Sequence, residues 1–159
     1  MIARVYVETS IVSYLSARPS RDVVIAAHQT LTRRWWRRRR EYSLYVSQVV
    51  ADEAALGDRV ASAKRMRALL DIPRLALSPE ATALAEALVR RGALPKKATV
   101  DAFHVAIAAA HELDYLLTWN CKHLANATMR STIEATCRSA GFVPPVICTP
   151  EELPPGSTP

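Results

Sequence analysis

Glycine is scarce in this chain: Gly57, Gly92, Gly141 and Gly156 are the only four in 159 residues, and each stands alone. A loop that cradles phosphate needs glycines clustered between a strand and a helix, so neither a P-loop nor a dinucleotide-binding turn is present. Long apolar runs are also lacking. No stretch approaches the ~20 residues of a membrane span, and the opening MIARVYVETS has no signal-peptide core, which points to a cytoplasmic protein. The three cysteines, Cys121, Cys137 and Cys148, form no CxxC. An odd number without that spacing argues against a disulfide framework or structural zinc site and leaves them as buried small hydrophobes. No internal repeat is visible. Leu77-Ser78-Pro79 also stands where a phospho-receiver domain needs an aspartate after its third strand.

What is present is enough for one domain of ordinary size, able to bury roughly 70% of its unfolded surface. Half the residues are hydrophobic and the net charge is +6. The basic excess is concentrated in Arg33-Arg34-Trp35-Trp36-Arg37-Arg38-Arg39-Arg40. That run reads either as the solvated end of a helix whose Trp pair packs inward or as a patch that contacts phosphate.

The periodicity predicts strands over Ile2–Val7, Leu44–Val46, Pro73–Leu77, Asp114–Thr118 and Val146–Cys148. Helices are expected over 11–15, 21–40 (apolar stripe Val24, Ala27, Leu31, Trp35), 47–57, 59–70, 79–91, 99–111 and 128–140. Ser47 caps the third of these, Pro79 opens the fifth, and Gly57, Gly92 and Gly141 act as stops. The helix of 99–111 is apolar almost all round and belongs deep against a sheet. Strands alternating with helices imply a mostly parallel sheet of four to five strands in a three-layer α/β/α fold. The domain is expected to occupy residues 1–150, followed by a mobile Pro-rich tail, 151–159.

Four polar side chains converge in this topology. Glu8 and Asn120 follow the carboxyl ends of strands, where open α/β sheets bind ligands. Glu53 falls on the apolar side of its helix with Val46, Val49 and Val50, whereas Asp52 looks outward. Asp101 lies in the first turn of the buried helix. Each has a plainer reading: Glu8 within a capping Glu-Thr-Ser, Glu53 paired with an arginine, Asp101 as a charge on the helix dipole. Asp114 opens its strand and lies roughly 20 Å from Asn120, at the opposite edge. Three carboxylates crowded together raise one another's pKa values, and a divalent cation relieves them. Oxygen ligands suit Mg²⁺ or Mn²⁺, an ion fitted to phosphodiester hydrolysis.

The segments VYVETSIVSYL, SQVVADEAALGD and DAFHVAIAAAHELDYLLTWNCKHL together resemble the PIN domain, and within it the VapC-type toxins of bacterial toxin-antitoxin pairs. The similarity spans about residues 1–150. The resemblance implies a Mg²⁺- or Mn²⁺-dependent endoribonuclease, usually a homodimer, silenced by a cognate antitoxin that covers the acidic pocket. It puts the family's four acidic positions on Glu8, Glu53, Asp101 and Asn120, with Glu8, Glu53 and Asp101 holding the metal. Ser10 and Thr118 match supporting positions that hold a water or a carboxylate. Two departures follow: Glu8 is one methylene longer than the usual aspartate, and Asn120 keeps an oxygen ligand while removing a charge. The loss at Asn120 leaves open a PIN domain that binds RNA or a protein without cleaving. His104, one turn beyond Asp101, reads as a core histidine or as a group that orients Asp101. Arg33–Arg40 or Lys96-Lys97 are the candidate contacts to the RNA backbone.

Overall fold

A computed structural model describes residues 1–153, which form seven α-helices and one five-stranded sheet. In chain order these are β1 (Arg4–Val7), α1 (Thr9–Ser16), α2 (Val23–Arg37), β2 (Ser43–Ser47), α3 (Gln48–Ala54), α4 (Arg59–Leu69) and β3 (Arg74–Leu75). Then come α5 (Pro79–Arg90), α6 (Thr99–Ala110), β4 (Tyr115–Leu117), α7 (Ala127–Ser139) and β5 (Val146–Cys148). All pairings are parallel and the order is β3-β2-β1-β4-β5. The fold is the expected three-layer α/β/α arrangement. Right-handed crossovers carry α1 to α4 on one side of the sheet and α5 to α7 on the other. Strand order reverses between β1 and β4, so a crevice opens at their carboxyl ends.

Local chemistry explains most boundaries. Ser47 caps α3 by accepting from the Val50 N–H at 3.3 Å, and Ser78 caps α5, with Pro79 in its first turn. Gly92 (φ 73°) and Gly141 (φ 86°) take the left-handed conformation just past α5 and α7, as expected of helix stops. In α6 every residue from Ala102 to Ala109 except the half-buried Phe103 is buried. Strand β3 is shorter than predicted, because only Arg74 and Leu75 find register partners, Val46 and Ser47.

Three expectations are overturned by packing. In α2 the buried residues are Gln29, Thr32 and Trp35; of the predicted stripe Trp35 is buried and Leu31 packs half-buried on the core, but Val24 and Ala27 are exposed. Val24 is 62% exposed, because Thr32 accepts a bond from the Trp119 indole at 2.7 Å and so fixes a different side inward. Cys137 and Cys148 are buried, with burial pushing their thiols up to about 11 and about 12, but Cys121 is exposed in the turn after β4. The domain also runs past residue 150: Leu153 is buried in the core. The remainder of the predicted mobile tail, 154–159, lies outside the described residues. Among the described residues, no helix is long and apolar enough to cross a membrane.

Candidate functional site

Glu8 is the first residue after β1 and the N-cap of α1, so its capping and site positions coincide. Its Oε2 accepts from the Ser10 N–H at 3.1 Å, from the Thr118 hydroxyl at 2.7 Å and from the Ser10 hydroxyl. Ser10 Oγ in turn accepts the Trp119 N–H at 2.8 Å, and Thr118 Oγ1 accepts the Asn120 N–H at 3.0 Å. The two hydroxyls thus bolt the end of β1 to the end of β4 and fix one oxygen of Glu8. The side chain is 7% exposed, and Glu8 Oε1 lies 3.9 Å from His104 Nε2.

Glu53 enters from α3, about a third exposed, and Asp52 beside it faces solvent as predicted. Its Oε1 accepts from the Thr9 hydroxyl at 2.6 Å and lies 2.8 Å from His104 Nε2, so its partner is a histidine and not the arginine of the plainer reading. His104 is fully buried on α6, and its Nδ1 meets the Tyr6 hydroxyl at 2.8 Å, which itself lies 2.7 Å from Ser47 Oγ. His104 is therefore a satisfied core histidine, but its partner is Glu53 rather than Asp101. Burial opposes charge on Glu53, yet the bond and charge of His104 and the Thr9 hydroxyl outweigh it and hold the carboxyl below its ordinary range. Burial likewise disfavours the His104 imidazolium. The Glu53 bond, with the charges of Glu8, Glu53 and Asp101, overrides that and raises its pKa above 6.5. As an imidazolium His104 donates to Glu53 and to Tyr6, and Tyr6 passes its own proton's bond to Ser47. Tyr6 is held neutral by burial and by the two glutamates.

Ligating atoms of Glu8, Glu53 and His104 all lie within 4.8 Å of one another. Asp101 is brought to the same crevice, close enough for its charge to act on His104, but it is not in that cluster. Its carboxylate is engaged elsewhere: Oδ1 accepts from Asn120 Nδ2 at 3.0 Å, and Oδ2 lies 2.9 Å from His123 Nδ1. Asn120 Oδ1 accepts the His123 N–H at 3.1 Å. The amide thus turns its nitrogen toward Asp101 and offers its oxygen to the backbone, not to a cation. Where a fourth carboxylate would repel Asp101, Asn120 supplies a hydrogen bond. Asp101 does not act as a cap for α6, since both oxygens point across the turn to residues 120 and 123.

The predicted site residues Glu8, Glu53, Asp101, Asn120, Ser10 and Thr118 all stand at one edge of the sheet, while Asp114 accepts the Arg4 N–H at the other. Sequence reasoning missed Tyr6, Thr9 and His123. Thr9 adjoins Glu8 and His123 follows Asn120 by three, spacings that carry a signal only once the crevice is known. Lys96 and Lys97 lie exposed in the 3₁₀ turn that leads into α6, beside the Asp101 turn. Among the described residues, none of the three carboxylates is paired with an arginine or lysine.

No protein-family model, curated protein or solved structure matches the chain. What the crevice can do rests on its own geometry. Two carboxylates and an imidazole converging within one coordination sphere are a donor set for a divalent cation. His104 could join that set only by giving up the proton it shares with Glu53, so the ligands the crevice offers as it stands are the carboxylate oxygens, which suit Mg²⁺ or Mn²⁺.

Proposed function

We propose that the chain is a cytoplasmic metal-dependent endoribonuclease of the PIN type, the toxin of a toxin-antitoxin pair, which hydrolyses RNA phosphodiester bonds. The observation that carries this reading is the convergence of Glu8, Glu53 and His104, whose ligating atoms all lie within 4.8 Å of one another at the carboxyl ends of β1 and β4. Carboxylates crowded this closely repel one another unless a cation lies among them. Glu8 and Glu53 would hold Mn²⁺ or Mg²⁺, with His104 beside them and Asp101 contributing charge from the far wall. The ion supplies polarisation of a phosphoryl oxygen and a water acidic enough to attack at neutral pH.

The chain's own residues prepare that chemistry. Ser10 and Thr118 lock the rotamer of Glu8, Thr9 orients Glu53, and Tyr6 fixes the ring of His104, the sort of outer support that tunes ligand groups. Asn120 and His123 hold Asp101 at the rim, and Lys96 and Lys97 provide exposed cations for an RNA backbone on that side. A cognate antitoxin and a second copy of the chain belong to the same proposal, as partners implied by the resemblance.

A second reading is favoured by the His104–Glu53 pair at 2.8 Å. An imidazolium offsets one of the two glutamate charges without any metal, and Asn120 leaves the crevice one carboxylate short, giving a domain that binds RNA or a protein without cutting. Calorimetric titration with Mn²⁺ and an RNA cleavage assay, with and without chelator, separate the two. The nuclease reading expects Mn²⁺ binding and metal-dependent cleavage, both lost in Glu53→Gln and cleavage lost in Asp101→Ala. Cleavage that is equal in the wild type and Asp101→Ala, or no Mn²⁺ uptake at all, removes it.

A further inference from the structure

At the amino edge of the sheet, away from the carboxylates, a recess of about 490 Å³ opens between the end of α2, the start of β2 and the turn from α4 into β3. Its lining includes Trp36, Arg39, Arg40, Tyr45, Arg67 and Asp71, so three guanidinium groups face one carboxylate. These residues come from three separate parts of the chain, and only Arg39 and Arg40 belong to the basic run recognised in the sequence. The rings are held in place: the Arg39 guanidinium lies 5.0 Å from the Trp36 ring centroid, and Arg4 lies 5.2 Å from that of Tyr45.

The cations differ in how they are employed. Arg38 is paired with Glu41 at 2.6 Å, and Arg65 caps α3 by donating to the Ala54 carbonyl at 2.9 Å. Arg40 and Arg67 are exposed and, among the described residues, their side chains make no hydrogen bond or ion pair. Other exposed arginines, Arg59 and Arg90 among them, are also unpaired, but Arg40 and Arg67 line one cavity together with aromatic rings. Arginine's planar fork grips phosphate and stacks on rings, and no lysine lines the recess. The volume falls in the range of small-ligand sites, and interleaved rings and cations are how proteins hold single-stranded nucleic acid.

We propose that this recess is a second RNA-binding site, which takes one nucleotide of a single strand with its phosphate between Arg40 and Arg67 and its base against Trp36 and Tyr45. Asp71 is placed to accept from a sugar hydroxyl or an exocyclic amine. Strand β2 runs roughly 13 Å from Ser43 at the recess to Ser47 at the carboxyl edge, so the site would anchor RNA several nucleotides from the cut. The choice of RNA as polymer rests on the nuclease reading; the pocket's affinity for a nucleotide does not.

The test is fluorescence anisotropy of a labelled 12-nucleotide single-stranded RNA in EDTA, at a series of salt concentrations, with the wild type and the double variant R40E/R67E. The dissociation constant is expected to rise at least about tenfold, and the slope of log K against log[salt] to shrink by about 1.4, two contacts at ~0.7 each. A mononucleotide is expected to quench tryptophan emission in the wild type and not in R40E/R67E. Both replaced side chains are exposed, so a matching thermal melt verifies the fold, and R40Q/R67Q is expected to show an intermediate loss. Unchanged affinity and slope overturn the proposal. So does a poly-glutamate peptide that competes as well as RNA, which would make the recess a site for acidic protein. Chelator keeps metal-dependent cleavage out of this measurement, so RNA bound here while the separate assay with Mn²⁺ shows no cleavage sinks the nuclease reading and leaves this one standing.

Discussion

The two edges of the sheet handle charge in opposite ways. At the carboxyl edge the charged groups are few, buried and bonded to one another: Glu8, Glu53, His104 and Tyr6 form one network, and Asp101 with Asn120 and His123 another. At the amino edge the charges are many, mostly basic and mostly exposed, and the side chains of Arg40 and Arg67 pair with nothing among the described residues. Desolvation separates the two cases. A buried charge must be compensated and becomes part of the structure, whereas an exposed arginine keeps its water and stays available to a ligand. Substitutions at the first edge should therefore cost stability and activity together, and at the second only binding.

The largest expected effect is Glu53→Gln, which should lower Mn²⁺ affinity and RNA cleavage by roughly 100-fold or more, since metal-site support alone is worth about 10–100-fold. Calorimetry and a cleavage time course measure it. Next comes a stability contrast between the edges. Tyr6→Phe strips the hydroxyl that joins Ser47 to His104 and should destabilise the fold by about 1–3 kcal/mol. Arg40→Gln or Arg67→Gln should stay within about 0.5 kcal/mol. Urea melts yielding similar costs at both edges would erase the distinction.

The pH dependence sharpens the same contrast. Glu53 has a lowered carboxyl, so its contribution is present above its unfolded value of 4.5 and fades as pH falls through the lower folded one. His104 has a raised pKa, so its contribution is full below 6.5 and is lost as pH climbs through the higher folded value. Metal-free protein should accordingly be most stable between about pH 4.5 and 6.5, followed by thermal melts in chelator. In Glu53→Gln the decline on both sides should flatten, whereas R40Q/R67Q should keep the wild-type profile.

The smallest effect concerns strain at the amino edge. Glu112, in the turn before β4, has φ 54°, the left-handed region that favours glycine. Relief of strain offset by glycine's extra chain entropy leaves Glu112→Gly stabilising by about 0.5 kcal/mol. A lower melting temperature would mean that the Glu112 side chain contributes more than its backbone costs.

Legibility in the sequence followed the range of the interaction. Capping by Ser47, the opening of α5 at Pro79, the stops at Gly92 and Gly141 and the apolar helix α6 are decided within a few residues, and they were readable. The buried face of α2 was not: Gln29 and Thr32 look like surface residues until Trp119, 87 positions away, provides a bond. Glu53 was rightly placed on an inward face, but its partner could not be read, because His104 lies 51 positions on and its helix gives no hint of where the ring points. Asn120 is similar. Its type was visible, its orientation toward Asp101 was not.

By itself the sequence determined the alternation of strands and helices, the parallel sheet and the set of polar residues left at strand ends, because periodicity, capping and turn chemistry act between near neighbours. Only the tertiary structure decided how those residues pair. The strand order sets β4 beside β1, so Thr118 reaches Glu8 across 110 positions, His104 falls to Glu53, and Asp101 to Asn120 and His123. The reason is physical: a buried polar group takes whatever donor the packed sheet brings within about 3 Å, and separation along the chain has no bearing on that distance.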